Sequence, residues 1–217
     1  MPGPTPTRPR GERTRRAILE AAEILFARKG FAGTRLEDVA EAVGIRRPSI
    51  LYYFPDKAQL YDAVLSDVIG GLLDRIRGAL EAPGALPDRI LAAISAWVDY
   101  VAERPALARL LLREVADGSA DEPPPLVRHT RPFLEMVEKV LEREPSESLS
   151  SLHAIDPVHL ASTVCGATVF LVSGMPALLP DMQLDPLSRT QIETHRHEVL
   201  SIARRLLTER NGLTNPR

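Results

Sequence analysis

Between Thr34 and Lys57 the chain reads TRLEDVAEAVGIRRPSILYYFPDK, and Arg46, Arg47 and Ser49 group three side-chain donors within it. Taken singly, two adjacent arginines are usually a solvated face, and the Tyr52-Tyr53-Phe54 run is usually packing. Their place relative to Gly44 gives them another meaning. Ala40 lies four residues before that glycine. A small residue there lets a following helix cross close over the first, and glycine accepts the positive φ that a tight turn needs. Such a helix-turn-helix puts the N-terminal part of its second helix, here Arg46, Arg47 and Ser49, into the major groove of duplex DNA.

The elements that must hold this segment are legible from their punctuation. From Glu12 to Lys29, Ile18, Ala21, Ala22, Leu25 and Phe26 recur at spacings of three and four, which marks one helical face, and Gly30 supplies a stop. Thr34 with Glu37 reads as a capping box that starts a second helix near Arg35, running through Leu36, Val39, Ala40 and Val43 to Gly44. Pro48 suits the first turn of a third helix, and Pro55 interrupts it. Asp56 caps a fourth with Gln59 completing the box, and Leu60, Val64, Val68 and Leu72 continue it past Gly70-Gly71. Further on, Pro87, Pro105, Pro157 and Pro186 read as first-turn residues, giving helices near 87–103, 105–116, 126–143, 157–175 and 187–209. The sum is an all-α fold of about nine helices, with a three-helix head carrying the helix-turn-helix and a larger helical domain behind it. Abundant Ala, Leu, Glu and Arg agree with this, since straight-chain residues lose little rotamer freedom in a helix. The expected boundaries are a disordered basic arm over 1–11, the head over 12–57, the larger domain over 58–210 and a flexible tail over 211–217.

The net charge of -2 hides an uneven distribution. Residues 1–57 hold 11 Lys/Arg against 7 Asp/Glu, leaving +4, whereas the other residues hold 16 against 22, leaving -6. A basic head on an acidic body suits a protein whose first domain meets phosphate. The single cysteine, Cys165, rules out an internal disulfide and lies in an apolar run, and the Pro- and Arg-rich N-terminus is no secretory signal, so the cytoplasm is expected.

At this point a resemblance can be stated. Gly44, Ile45, Ser49, Ile50, Leu51, Tyr52, Tyr53, Phe54 and Lys57 stand where members of the TetR family carry their helix-turn-helix signature, and the likeness covers about the first 60 residues. Leu51 stands where many members have a phosphate-contacting Tyr, and Tyr53 where many have His. The resemblance implies a transcriptional repressor that binds a palindromic operator in double-stranded DNA as a homodimer and is released by a small-molecule inducer. In that pose Thr34, at a helix N-terminus, and Arg35 would meet a phosphate, as would Lys57, Tyr52 and Tyr53, while Arg46, Arg47 and Ser49 would read bases, an arginine bidentate to guanine being the most discriminating contact. Ile50 and Phe54 read as core.

In the larger domain, Trp97, Tyr100, Phe133, Met136, His153 and Phe170 are candidates to line the inducer pocket, against the plainer reading of core packing. The segment 157–175 is apolar almost all round; a membrane span is rejected because polar residues and glycines dilute it, and small residues at Ala161 and Cys165 would let another helix approach closely. Ile192, Val199 and Leu206 recur every seven residues with Ile202 beside them. The family pattern makes these two helices the dimer seam. No metal is expected, because His195 and His197 do not share a helical face. No cofactor is expected either, and with no Gly-rich phosphate loop, nucleophile elbow or Cys/His pair the chain does not read as an enzyme. The competing reading is an all-helical protein-interaction adaptor, which leaves the basic head and the Gly44 turn unexplained.

Overall fold

The computed structural model describes residues 10–117, 125–146 and 157–208. Nine helices and a short 3-10 turn at Pro180–Met182 make up its regular structure among those residues. Residues 1–9 of the expected arm, His153 and the tail at 211–217 lie outside them. Arg10 and Gly11, assigned to the arm above, instead open the first helix.

The chain falls into two compact units, one up to Val68 and one from Ile69. In the first unit, α1 (Arg10–Gly33) buries Ile18, Leu19, Ala22 and Phe26 along one face. Gly30 breaks the helix with φ 73° and ψ 175°, a combination open to glycine alone, and one further turn follows it. The short helices α2 (Leu36–Val43) and α3 (Arg47–Tyr53) follow, and α4 (Lys57–Leu80) closes the head with its first turns. Leu60, Tyr61, Val64 and Leu65 of α4 are buried with Val39, Ile50 and Phe54. The Tyr61 ring meets the Phe26 ring edge-on at 4.7 Å and the Phe31 ring at 5.2 Å. The unit runs into α4 as far as Val68, whereas the expected head ended at residue 57.

In the second unit, α4 continues through the buried Leu72, Leu73 and Ile76, followed by α5 (Leu86–Glu103), α6 (Ala106–Asp117) and α7 (Leu126–Glu142). Next comes α8, which runs over Pro157–Val169, widens into a π-helical turn at Phe170–Gly174 and ends at Met175–Leu178; α9 (Arg189–Thr208) is last. Buried polar contacts tie these helices together. The Glu114 carboxylate of α6 accepts the backbone N–H of Leu126 at 3.0 Å and so caps α7. Arg89 of α5 pairs with Glu144 just beyond α7 and donates to the Leu80 carbonyl at the end of α4 at 3.0 Å. Arg196 of α9 pairs with Asp99 of α5. The Thr168 hydroxyl of α8 lies 3.0 Å from Nε2 of His195 in α9, and burial depresses the His195 pKa.

Two expectations for the seam change here. Ile192 and Val199 point into the core of their own unit, at 7% and 4% exposure, because α9 packs its heptad face onto α5 and α8. Ala161 and Ile202 are exposed, and Cys165 and Leu206 are partly so. Val158–Leu178 is long and apolar enough to cross a membrane by length and composition, yet only 22% of its apolar window is buried. Val158, Ala161 and Phe170 of this helix are among its exposed residues in a single copy.

The pocket candidates do not converge. Trp97 and Tyr100 are buried, with the Tyr100 hydroxyl accepting from Arg104 at 3.0 Å and Arg75 lying over its ring at 5.0 Å. Phe133 is half-buried, and Phe170 is exposed on the outer face of α8. Met136 alone of the six lines either of the two best-formed cavities among the described residues, one of about 250 Å³ between α4 and α7. Aromatic composition marks buried mass, and here most of that mass is core.

Candidate nucleic-acid interface

The turn between α2 and α3 is built as the spacing predicts. Gly44 sits at φ 72° and ψ 32°, the left-handed conformation, its N–H bonded to the Glu41 carbonyl at 3.1 Å and the next N–H, of Ile45, reaching the Ala40 carbonyl at 2.9 Å. This doubly bonded stop fixes the exit direction of the chain. Arg46, extended at φ -84° and ψ 149°, caps α3, and Pro48 lies in its first turn. Ile50 and Phe54 face inward at 0% and 3% exposure, so the opposite edge of α3 faces solvent. Arg46, Arg47 and Ser49 are all exposed on it. Tyr52 stands out at 83% exposure, while Tyr53 is half-buried with its ring edge-on to that of Tyr52 at 5.1 Å.

The arginine at the head of α3 is not idle. Arg47 forms an ion pair with Glu37 of α2, its Nε lying 2.6 Å from Glu37 Oε1, both side chains being more than half exposed. The guanidinium carries five N–H donors, so one carboxylate contact at Nε does not use up the fork. Behind the helix, the Arg15 guanidinium lies over the Phe54 ring at 5.2 Å, a brace between α1 and α3 that the sequence pattern did not suggest.

Three expected roles are altered by the geometry. Thr34 is 1% exposed, and its hydroxyl donates to the Gly30 carbonyl at 2.8 Å with a longer approach to Leu25 O at 3.2 Å. It therefore neither caps α2 nor reaches a phosphate through its side chain. The carbonyls freed by the Gly30 break claim the hydroxyl instead. The capping arrangement is displaced by one residue: Arg35 is the N-cap, exposed, and its N–H bonds the Asp38 carboxylate. Asp38 also accepts from Lys29 Nζ at 2.7 Å, the largest reason its pKa is lowered. Lys57, expected at a phosphate, directs its ammonium to the Phe31 carbonyl at 2.8 Å and to the Phe31 ring, 4.4 Å from its centroid. It closes the last turn of α1, where the carbonyl ends of a helix favour a cation. Asp56 caps α4 as expected, accepting from the Gln59 N–H at 2.8 Å and the Gln59 side-chain amide at 2.9 Å, which lowers its pKa.

The head thus presents an exposed row of donors on a short helix, beside the N–H groups that open α2. Among the described residues no group of three His, Cys, Asp or Glu side chains is placed to hold a metal ion.

Comparison with known proteins agrees with this geometry. Residues 18–64 match the sequence profile of the bacterial regulatory proteins of the tetR family. The HTH-type transcriptional regulator RutR of Escherichia coli is 37% identical over 108 residues, covering 48% of this chain and 49% of RutR. The HTH-type transcriptional activator FasR of Mycolicibacterium smegmatis is 29% identical over 93 residues, covering 43% of this chain and 42% of FasR. The chain thus spans about half the length of the curated relatives it matches. Among solved structures, the transcriptional regulator FadR from Bacillus subtilis, in complex with stearoyl-CoA, superimposes with a TM-score of 0.64 at 16% identity, covering 87% of this chain and 96% of FadR. That likeness is one of fold and extends through both units. The head, over residues 18–64, thus carries the sequence profile of the tetR family of bacterial regulatory proteins, and most of the chain shares its fold with a solved regulator.

Proposed function

We propose that the protein is a sequence-specific DNA-binding transcriptional regulator, acting in the cytoplasm as a homodimeric repressor that a small molecule releases from a palindromic operator. The observation that carries this reading is the solvent edge of α3. Arg46, Arg47, Ser49 and Tyr52 are all exposed while Ile50 and Phe54 of the same two turns are buried. Arg46, Arg47 and Ser49 read base edges in the major groove. Tyr52, Tyr53, Arg35 and the N–H groups at the start of α2 hold phosphates, with Thr34 and Lys57 acting behind them as struts.

The dimer forms through exposed residues of α8, Val158, Ala161 and Phe170 among them, together with Ile202 of α9 and the partly exposed Cys165 and Leu206. Exposed large apolar side chains on a helix this apolar favour a cover, and a two-fold copy supplies the same residues in return. Two heads on such a dimer read half-sites about one helical turn apart or a multiple of it. The small-molecule ligand is supported by the FadR neighbour, whose crystals hold stearoyl-CoA. No catalytic role is assigned to any residue.

The test is selection of duplexes from a random-sequence library by the purified protein. Enrichment of a sequence with two-fold symmetry is the expected result. A library that stays random after repeated rounds refutes the reading.

A further inference from the structure

The first turn of α2 carries two carboxylates, Glu37 and Asp38, at the end of the helix that the regulator reading turns toward phosphate. Acidic side chains suit a helix N-terminus, but here each also places a negative charge where DNA would approach. Each is met by a cation from a neighbouring helix. Asp38 takes Lys29 of α1 at 2.7 Å and the Arg35 N–H, so its carboxylate is spent on capping α2 and tying α1 to it. Glu37 takes Arg47 of α3 at 2.6 Å, and both side chains lie in solvent, at 54% and 60% exposure.

An exposed ion pair contributes little to stability, so the fold does not account for the contact between Glu37 and Arg47. Its consequence falls on the cation. Arg47 stands in the exposed row with Arg46 and Ser49. Affinity for duplex of any sequence comes from cations that neutralise phosphates, and it rises with each one. Preference for one sequence comes from directed N–H donors on base edges. A carboxylate 2.6 Å from Nε acts on these two quantities unequally. It offsets much of the charge that a phosphate would feel, whereas one contact does not exhaust the five N–H donors of a guanidinium.

We propose that Glu37 is a specificity-determining residue that acts through Arg47: it lowers the attraction of Arg47 for phosphate, and so holds down binding to duplex of arbitrary sequence, while Arg47 keeps donors that read bases. The inference rests on the regulator reading above, and it adds a residue of α2 to a reading edge built from α3.

Glu37→Gln removes the charge and keeps the size of an exposed side chain, so the fold is retained, which circular dichroism checks. Glu37→Ala, which deletes the carboxylate in favour of a good helix former, repeats each measurement. Fluorescence anisotropy follows the natural chain, Glu37→Gln, Arg47→Ala and the double variant on the selected duplex and on a scrambled one across a range of salt. Glu37→Gln binds the scrambled duplex about three- to fivefold more tightly, the scale of one exposed charge interaction. Its logarithmic salt dependence there steepens by up to about 0.9, the mark of one further phosphate neutralised. The selected duplex gains less, because Arg47 already spends its donors on bases there, and the preference between the two falls. In the Arg47→Ala background the same change raises both affinities alike and leaves the preference where it was. The proposal is wrong if Glu37→Gln keeps the full preference of the natural chain, if it raises both affinities equally, or if it moves the preference as far without Arg47 as with it. A natural chain that binds the two duplexes equally overturns the regulator reading instead, so the two failures are separable.

Discussion

Replacing Thr34 by valine keeps the shape of the side chain and deletes one hydroxyl. That hydroxyl is enclosed, at 1% residue exposure, and its proton sits between the Gly30 carbonyl at 2.8 Å and the Leu25 carbonyl at 3.2 Å. A neutral hydrogen bond contributes about 0.5–1.5 kcal/mol net, and a carbonyl left buried without a donor costs about 1–3 kcal/mol. Thr34→Val therefore destabilises the protein by about 1–3 kcal/mol, since water has poor access to either carbonyl. At ~2–4 °C per kcal/mol for a chain of this size, the unfolding midpoint falls by several degrees. The assay is thermal and urea unfolding followed by circular dichroism, together with titration of the selected duplex at a temperature where both proteins are folded. Lower stability with unchanged duplex affinity is the expected pair of results. Unchanged stability with weakened duplex binding refutes the reasoning, because it returns the hydroxyl to a phosphate.

Arg89 and Glu144 form an ion pair whose side chains are only 14% and 13% exposed, so Arg89→Met, which strands the carboxylate, destabilises the second unit by about 3–5 kcal/mol, and the double change Arg89→Met/Glu144→Leu recovers most of it by urea unfolding. Asp38 and Asp56 are held below the ordinary aspartate pKa by Lys29 and by the Gln59 N–H respectively. Their folded-state pKa values lie below the unfolded ones, so the stability they contribute is present above the unfolded pKa and is lost as pH falls below about 4. An unfolding titration shows a smaller acid dependence for Asp56→Asn. Burial pushes the Cys165 thiol up to about 11, so at pH 8 its reaction with a thiol-specific disulfide reagent runs about a hundredfold slower than that of a free cysteine, and denaturant restores the rate.

Much of the head was legible because its signals are local. Gly44 demands a positive φ, Pro48 opens a helix, and Asp56 with Gln59 makes a cap; each depends on its immediate neighbours alone. The errors arose where a distant group competes. Thr34 reads as a cap until the carbonyls at the Gly30 break claim its hydroxyl, which moves the cap to Arg35 and Asp38. Lys57 reads as a surface cation until the end of α1 comes within reach. In the second unit, the repeat of Ile192 and Val199 identifies an apolar stripe but not its cover, and α5 and α8 of the same chain provide it. The π-helical turn at Phe170–Gly174 carries no sequence signature. Arg15 over Phe54 and Glu37 on Arg47 join residues from different helices and emerge only when the helices are packed.

The central claim, that the exposed edge of α3 reads base sequence, is tested most directly by fluorescence anisotropy of the selected duplex and a scrambled duplex across a range of salt, for the natural protein and Arg47→Ala. The natural protein binds both with an affinity that falls steeply with salt but prefers the selected duplex throughout, and Arg47→Ala gives up about 1–3 kcal/mol of that preference while binding the scrambled duplex nearly as before. Equal affinity of the natural protein for the two duplexes, or an Arg47→Ala variant that keeps the full preference, contradicts the account.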